Sequence, residues 1–303
     1  MKRTSLTMKK YIKSFDWRIL VIFVPGLIFV SMFTFYPMAK MIIMSFFDWQ
    51  IGYQQTSPFI GFDNYITVIN DPTAKIAIVN TLVYVLVTVP FQMIIGLLVA
   101  VLINGITKRS VLYRVSYYLP VITSWVIVAL LFRYIFSNYG LLNYFITDTL
   151  HIVNEPIGWL STRWSALFAA MLLGVWKGIG WNMIIFLAAL QAVSKDQYEA
   201  ADMDGANRTQ KFFHITVPGI KGTIVFALIM LTIGGFNTYT PIAVLTGGNP
   251  FHQTEVVLTW MYFQTFDALN MGYSAALSVI IALIIMLITI VMFKLTRFGG
   301  DSK

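Results

Sequence analysis

The chain reads as long apolar runs separated by short polar ones. Six runs, 19–47, 76–104, 115–136, 164–192, 222–245 and 271–295, each exceed the roughly 20 apolar residues that carry a helix across a bilayer. Pro25, Pro37, Pro90 and Pro120 fall within them. Neighbouring helices of a membrane bundle can satisfy the backbone groups such prolines free. The pattern predicts an all-α membrane protein with six transmembrane helices. Residues 19–295 form one membrane domain, flanked by tails at 1–18 and 296–303. The first run is too long for the core of a cleavable signal peptide, and no small-x-small site follows it.

The polar connections are of two kinds. Segments 48–75 and 137–163 carry Trp49, Tyr53, Phe59, Phe62 and Tyr65, and then Tyr139, Tyr144, Phe145 and Trp159. Such aromatics anchor at headgroup depth, and 141–150 predicts a short interfacial helix. The connection 194–221 is different. Ser194 with Gln197 predicts a capping box, and Asp196 and Glu199 suit the positive end of a helix dipole. Gly205 can end that helix in a left-handed turn, and Asn207 can cap a second helix running to about Phe213. Pro218 suits the opening of the fifth run. The segment predicts a helix–turn–helix elbow. Phe212, Phe213 and Ile215 are too apolar for a free loop, and Asp196, Glu199 and Asp202 share a helix face. An acidic strip beside an apolar patch suits a docking surface, with an ordinary solvated loop carrying incidental helices as the alternative.

Charge orients the bundle. Sixteen of the 21 Lys and Arg lie before the first run, between the second and third, between the fourth and fifth, and around the end of the sixth. The positive-inside rule puts both tails and the elbow in the cytoplasm. Composition narrows the function. With 58% hydrophobic and 11% charged residues, the chain is far from the about 25% charged of soluble domains. This excludes a soluble enzyme, a disordered protein and a nucleic-acid-binding domain, and assigns the +8 net charge to a membrane surface. There is no Cys for a thiolate, and His151, His214 and His252 are not at metal-ligand spacing.

The elbow resembles a known signature. Glu199-Ala200-Ala201, Asp204-Gly205-Ala206 and Ile215-Thr216-Val217-Pro218 match the EAA motif of binding-protein-dependent ABC importer permeases, with Val217 in place of the commoner Leu. Further stretches resemble the carbohydrate-uptake branch of that family: 61–65 (GFDNY), 80–82 (NTL), Leu119-Pro120, 140–143 (GLLN), 245–250 (LTGGNP), Thr254 and 272–276 (GYSAA). Asn249 is inserted where many relatives have Gly-Gly-Pro directly.

The resemblance implies a type I ABC importer permease in a bacterial or archaeal plasma membrane. This chain would be one partner of a heterodimer with a second permease subunit. It implies a cytoplasmic ATPase dimer that binds ATP and Mg, and an extracytoplasmic substrate-binding protein that delivers a sugar. The chain itself has no G-x-x-x-x-G-K-[ST] phosphate cradle and calls for no cofactor of its own. Glu199 and Gly205 would be the main ATPase-coupling residues, beside Ala200, Ala201, Asp204, Phe212 and Pro218. Aligned on Glu199 and Pro218, Lys177, Gly178, Trp181, Leu231, Gly234, Gly235 and Thr238 fall where relatives line the sugar path. Read without the resemblance, spans four and five already concentrate intramembrane polar and aromatic groups, among them Gly174, Trp176, Asn182, Asn237 and Tyr239. The glycines also serve close helix approach, and the tryptophans also serve packing. Lys177 is the exception, because an ammonium near mid-bilayer needs a carbonyl, a second subunit or a solute hydroxyl. The rival is an ATP-independent secondary transporter of a small polar solute. Such proteins couple to ions through intramembrane acids, whereas the 13 Asp and Glu here lie outside the six runs or at their margins, Asp48 at most excepted. Disaccharide, longer oligosaccharide and phosphorylated polyol all remain open as substrates.

Overall fold

A computed structural model of the chain describes residues 17–49, 57–106 and 108–297. The expected tails, 1–18 and 296–303, fall almost wholly outside them. The described residues are helical, with one isolated bridge between Phe47 and Phe59. Helix α1 (Trp17–Val30) continues through a wider turn at Ser31–Phe35 into α2 (Tyr36–Met44). A short α3 (Asp63–Asn70) precedes α4 (Pro72–Asn104), which Asp71 caps by accepting from Thr73 N at 2.8 Å.

The third apolar run is not a straight rod. It folds as α5 (Ser110–Ile122) and α6 (Trp125–Ile135), bent 91° to each other at Thr123-Ser124. Leu141–Asn143 and the wider turn Tyr144–Thr149 occupy the expected interfacial helix. Then come α7 (Arg163–Ala192), α8 (Lys195–Met203) and α9 (Arg208–Lys211). The fifth run is also broken, into α10 (Lys221–Phe236) and α11 (Thr240–Leu245), with Asn237–Tyr239 unwound between them. The 16 residues of α10 span only about 24 Å, short of a hydrocarbon core of about 30 Å; Arg208–Gly219 precedes it at a 68° bend, and the two together make the second bent pair. Finally α12 (Val257–Tyr262) leads to α13 (Met271–Arg297). Among the described residues four helices are long and apolar enough to cross a membrane, or six if each bent pair counts as one span.

The centre is α4 packed along α7, where small residues let backbones approach. A Cβ on Gly96 would stand 2.5 Å from the Cβ of Asn182, and one on Gly180 would strike the Tyr117 carbonyl of α5. Among the described residues, four apolar clusters follow along the bundle, one of them Val85, Val89 and Phe236 between α4 and α10. Ala100, Met183, Phe186 and Ile220 sit near the elbow, Ala129, Leu167, Leu173 and Ile242 in the middle, and Ala77, Val257, Trp260 and Leu277 at the far end. Helix α1–α2 lies outside these clusters with most of its apolar side chains exposed, though Met41 and Met44 of α2 are half-buried where α2 packs on α13.

Polar hubs tie the far end. Asn80 Nδ2 donates to the carbonyls of Gln253 (2.9 Å) and Glu255 (2.6 Å), while its Oδ1 accepts from Arg163 Nε at 2.8 Å. Asp71 accepts from Trp260 Nε1 at 3.0 Å and from the Tyr273 hydroxyl. Asn143 donates to Ile157 O at 2.9 Å and accepts from Trp159 Nε1 at 3.0 Å. Asn64 donates to Ser45 O and Phe47 O. Several signature residues outside the elbow are therefore joints between segments.

Candidate functional site

A cavity of about 550 Å³ opens among α4, α7 and α10, at the two places where a span is broken. Backbone that leaves the helix at membrane depth is tolerated where it is buried in protein or lines a water-filled space. The second break meets that condition, whereas at the first Thr123 and Ser124 are themselves exposed and only their neighbours reach the cavity. Val121 and Trp125 flank the first and line the cavity, and Asn237, Thr238 and Tyr239 form the second and line it too.

The wall brings together all seven residues expected on the solute path. Lys177, Gly178 and Trp181 come from one face of α7; Leu231, Gly234 and Gly235 come from α10; Thr238 follows it. Trp176, Asn182 and Phe236 lie elsewhere. Trp176 is 41% exposed and leans on Phe132, Asn182 is fully buried against Gly96, and Phe236 packs with Val85 and Val89. Gly178 and Gly235 have no room for a side chain, because an added Cβ would meet the Gln92 amide and, at 2.8 Å, Val85 Cγ2. Gly234 meets nothing within 4 Å, so its hydrogens face open space.

Tyr84, Thr88 and Gln92 of α4 complete the wall and were not foreseen. Their signal is in the sequence. Asn80, Tyr84, Thr88, Gln92 and Gly96 recur every four residues and make one polar and small stripe on an otherwise apolar helix. Gln92 Nε2 donates to Gly174 O at 3.1 Å, which joins this stripe to α7.

The cavity's chemistry is aromatic and hydrogen-bonding. Trp125, Trp181, Tyr84 and Tyr239 offer ring faces, and Thr88, Gln92, Asn237 and Thr238 offer neutral polar groups. Its one charged residue is Lys177, which is only 3% exposed. Its Nζ donates to the carbonyls of Pro120 (2.6 Å), Val121 (3.2 Å) and Thr123 (2.6 Å) and lies 4.8 Å from the centre of the Trp125 ring.

The elbow stands apart from the cavity. Ser194 caps α8 by accepting from Asp196 N at 3.2 Å, not through the expected box with Gln197. The reciprocal box sits one helix later. Asn207 Oδ1 accepts from Gln210 N at 2.9 Å, and Gln210 Oε1 accepts from Asn207 N at 2.8 Å. Gly205 holds a φ of +74° between the two helices, which an L side chain adopts only with strain. Lys211 pairs with Asp202 at 2.5 Å and Tyr198 bonds Thr216 at 2.9 Å, so the two helices are braced against each other. Of the expected coupling residues, Glu199, Ala200, Asp204, Gly205 and Pro218 are exposed and Ala201 and Phe212 half-buried. Ala201, Asp204 and Gly205 line a recess of about 400 Å³ with His214 and Ile215. Glu199, Ala200, Phe212 and Pro218 lie off that recess. Pro218 sits in a separate turn, Val217–Gly219, and the chain bends 68° before α10 begins. The acidic strip is shorter than expected, because Asp202 is held by Lys211.

Residues 77–298 match the family described as binding-protein-dependent transport system inner membrane component. The chain is 34% identical over 285 residues to the arabinooligosaccharides transport system permease protein AraP of Halalkalibacterium halodurans, covering 91% of this chain and 86% of that one. It is 30% identical over 295 residues to the lactose transport system permease protein LacF of Rhizobium radiobacter, covering 96% and 97%. It is 32% identical over 275 residues to the sulfoquinovosyl glycerol transport system permease protein SmoG of Agrobacterium fabrum, covering 90% and 88%. Among solved structures it superposes on a chain of a bacterial ABC transporter involved in the import of the acidic polysaccharide alginate. The TM-score is 0.83 at 25% identity, covering 97% of this chain and all of that one.

Proposed function

Since the chain belongs to the inner-membrane components of binding-protein-dependent transport systems, we propose that it is a permease subunit of an ATP-driven importer that moves a sugar or oligosaccharide. The observation that carries this is the cavity at the two broken spans. It combines aromatic faces, which stack on the C–H face of a sugar, with neutral amides and hydroxyls, which take its hydroxyls. Relatives named for arabinooligosaccharide, lactose and sulfoquinovosyl glycerol transport support a glycoside class of cargo.

Energy for transport enters from outside this chain. A cytoplasmic ATPase dimer binds ATP and Mg, and the elbow docks into it. Glu199 is exposed for a charge-assisted bond to an Arg or Lys of that partner, and the small Ala200 lets the surfaces close. The elbow is braced internally by Lys211–Asp202 and Tyr198–Thr216, so ATPase closure moves it as one lever. That motion passes through the 68° bend into α10, which forms one wall of the cavity. A solute handed over by the external binding protein is then exposed to one side of the membrane or the other as the two-state bundle switches. A second permease subunit closes the remaining side of the cavity.

The test is co-purification from native membranes in mild detergent, wild type against the double variant Glu199→Ala, Gly205→Asp. The wild-type chain is expected to bring down an ATPase subunit and the double variant to lose it while keeping the second permease. Failure of the wild type to retain any ATPase, under conditions that keep other membrane complexes whole, would sink the reading.

A further inference from the structure

Lys177 is the one charged side chain in the cavity wall, and its hydrogen bonds all turn inward. The last carbonyls of a helix have no intrahelical N–H to accept from. At the end of α5 that shortage falls at the edge of the bundle, where Pro120 and Val121 are half-buried and Ile122 and Thr123 exposed. The Thr123 hydroxyl donates to Leu119 O at 2.9 Å, and the Lys177 ammonium donates to Pro120, Val121 and Thr123. An ammonium carries three protons, so these three carbonyls take them all. The positive charge also meets the negative end of the α5 dipole, and the Trp125 ring lies against it. Gly180, one turn further along α7, touches the Tyr117 carbonyl and keeps α5 close enough for the lysine to reach.

Resting on the reading of this cavity as the solute path, we infer that Lys177 is a positioning residue. It caps the broken end of α5 from the neighbouring helix, sets the 91° break, and thereby places Val121 and Trp125 in the cavity wall. It does not hold the solute. A charged side chain at bilayer depth is costly, and the three carbonyls it meets here are what offset that cost. The cavity therefore presents only neutral groups to its cargo, and the solute contacts fall to Trp125, Trp181, Gln92 and Thr238.

The absence of Cys from the chain makes the break measurable. Val115→Cys on α5 and Leu131→Cys on α6, both 51% exposed, carry spin labels across it. Pulsed-EPR distances and ATP-driven uptake are measured on the reconstituted complex for the wild-type background, Lys177→Met and Lys177→Arg. Lys177→Met is expected to broaden the distance distribution and lower the maximal uptake rate by about tenfold. The half-saturating solute concentration should rise as Trp125 is displaced from the wall, while the preference between a neutral saccharide and its uronate stays unchanged. Lys177→Arg, which keeps charge and donors, should restore the narrow distribution. An unchanged distribution in Lys177→Met, or a shifted preference for the uronate, would overturn the inference. If Lys177→Met does not assemble, Lys177→Arg decides alone: native distances with a tenfold weaker half-saturation would mark a solute ligand. Absence of saccharide uptake by the wild-type background would sink the importer reading and leave the distance arm intact.

Discussion

Asn80 shows how much one side chain can join. Its amide group ties α4 to the segment before α12 and to Arg163 at the start of α7, in a site with no solvent access. Asn80→Leu keeps the shape but leaves two carbonyls and a guanidinium without this partner. The expected cost is about 3 kcal/mol, since each buried polar group left unpaired costs about 1–3. The measurement is the Tm of the detergent-purified complex, and an unchanged Tm would mean that these bonds do not bear on stability. Lys177 obeys the same accounting deeper in the bundle. A lone lysine in an apolar run was visible as an anomaly in the sequence. Its partners were not, because carbonyls become available only where a helix ends, and the sequence pattern ran straight through that end.

At the scale of elements, breaks and caps matter more than lengths. Six apolar runs were legible because a bilayer demands them, but the pattern treated each as a rod. Hydropathy reports the environment of side chains and is blind to whether the backbone is helical within a run. The turns at Thr123-Ser124 and Asn237–Tyr239 therefore passed unseen. The elbow was more legible, since caps are local. Gly205 and Asn207 act as their chemistry predicts, whereas the box moved from Ser194 to Asn207, where Gln210 lies within reach on the same turn. Asn207→Ala removes that box at a cost of about 1 kcal/mol, equivalent to an about fivefold faster local opening. Hydrogen exchange of amides 208–216 should show that acceleration while α7 is unaffected. Equal exchange in both proteins would show that another contact, such as Lys211–Asp202, holds the elbow by itself.

At the scale of the molecule, the cavity and the elbow are separate surfaces connected by one bent element. This separation predicts separable defects. Trp181→Ala removes a ring from the cavity wall and should raise the half-saturating solute concentration about tenfold, the equivalent of roughly 1.4 kcal/mol. Co-purification of the ATPase should be untouched. Uptake by the reconstituted complex against external solute concentration reads the first effect, and the detergent pull-down reads the second. Loss of both together would mean that Trp181 acts through the fold.

The sequence by itself determined the class of the molecule: a helical membrane chain of the importer-permease family, with its elbow and the faces of α7 and α10 that meet the cavity. These follow from apolar length, charge asymmetry and fixed local spacings, all of which are properties of a one-dimensional pattern. Tertiary structure decided the rest. It bent two runs, brought the Tyr84-Thr88-Gln92 stripe to face them, and turned the Lys177 ammonium from a free charge into a cap. The physical reason is that buried polar groups must be satisfied by whatever packs against them. Which groups those are depends on neighbours far apart in the chain.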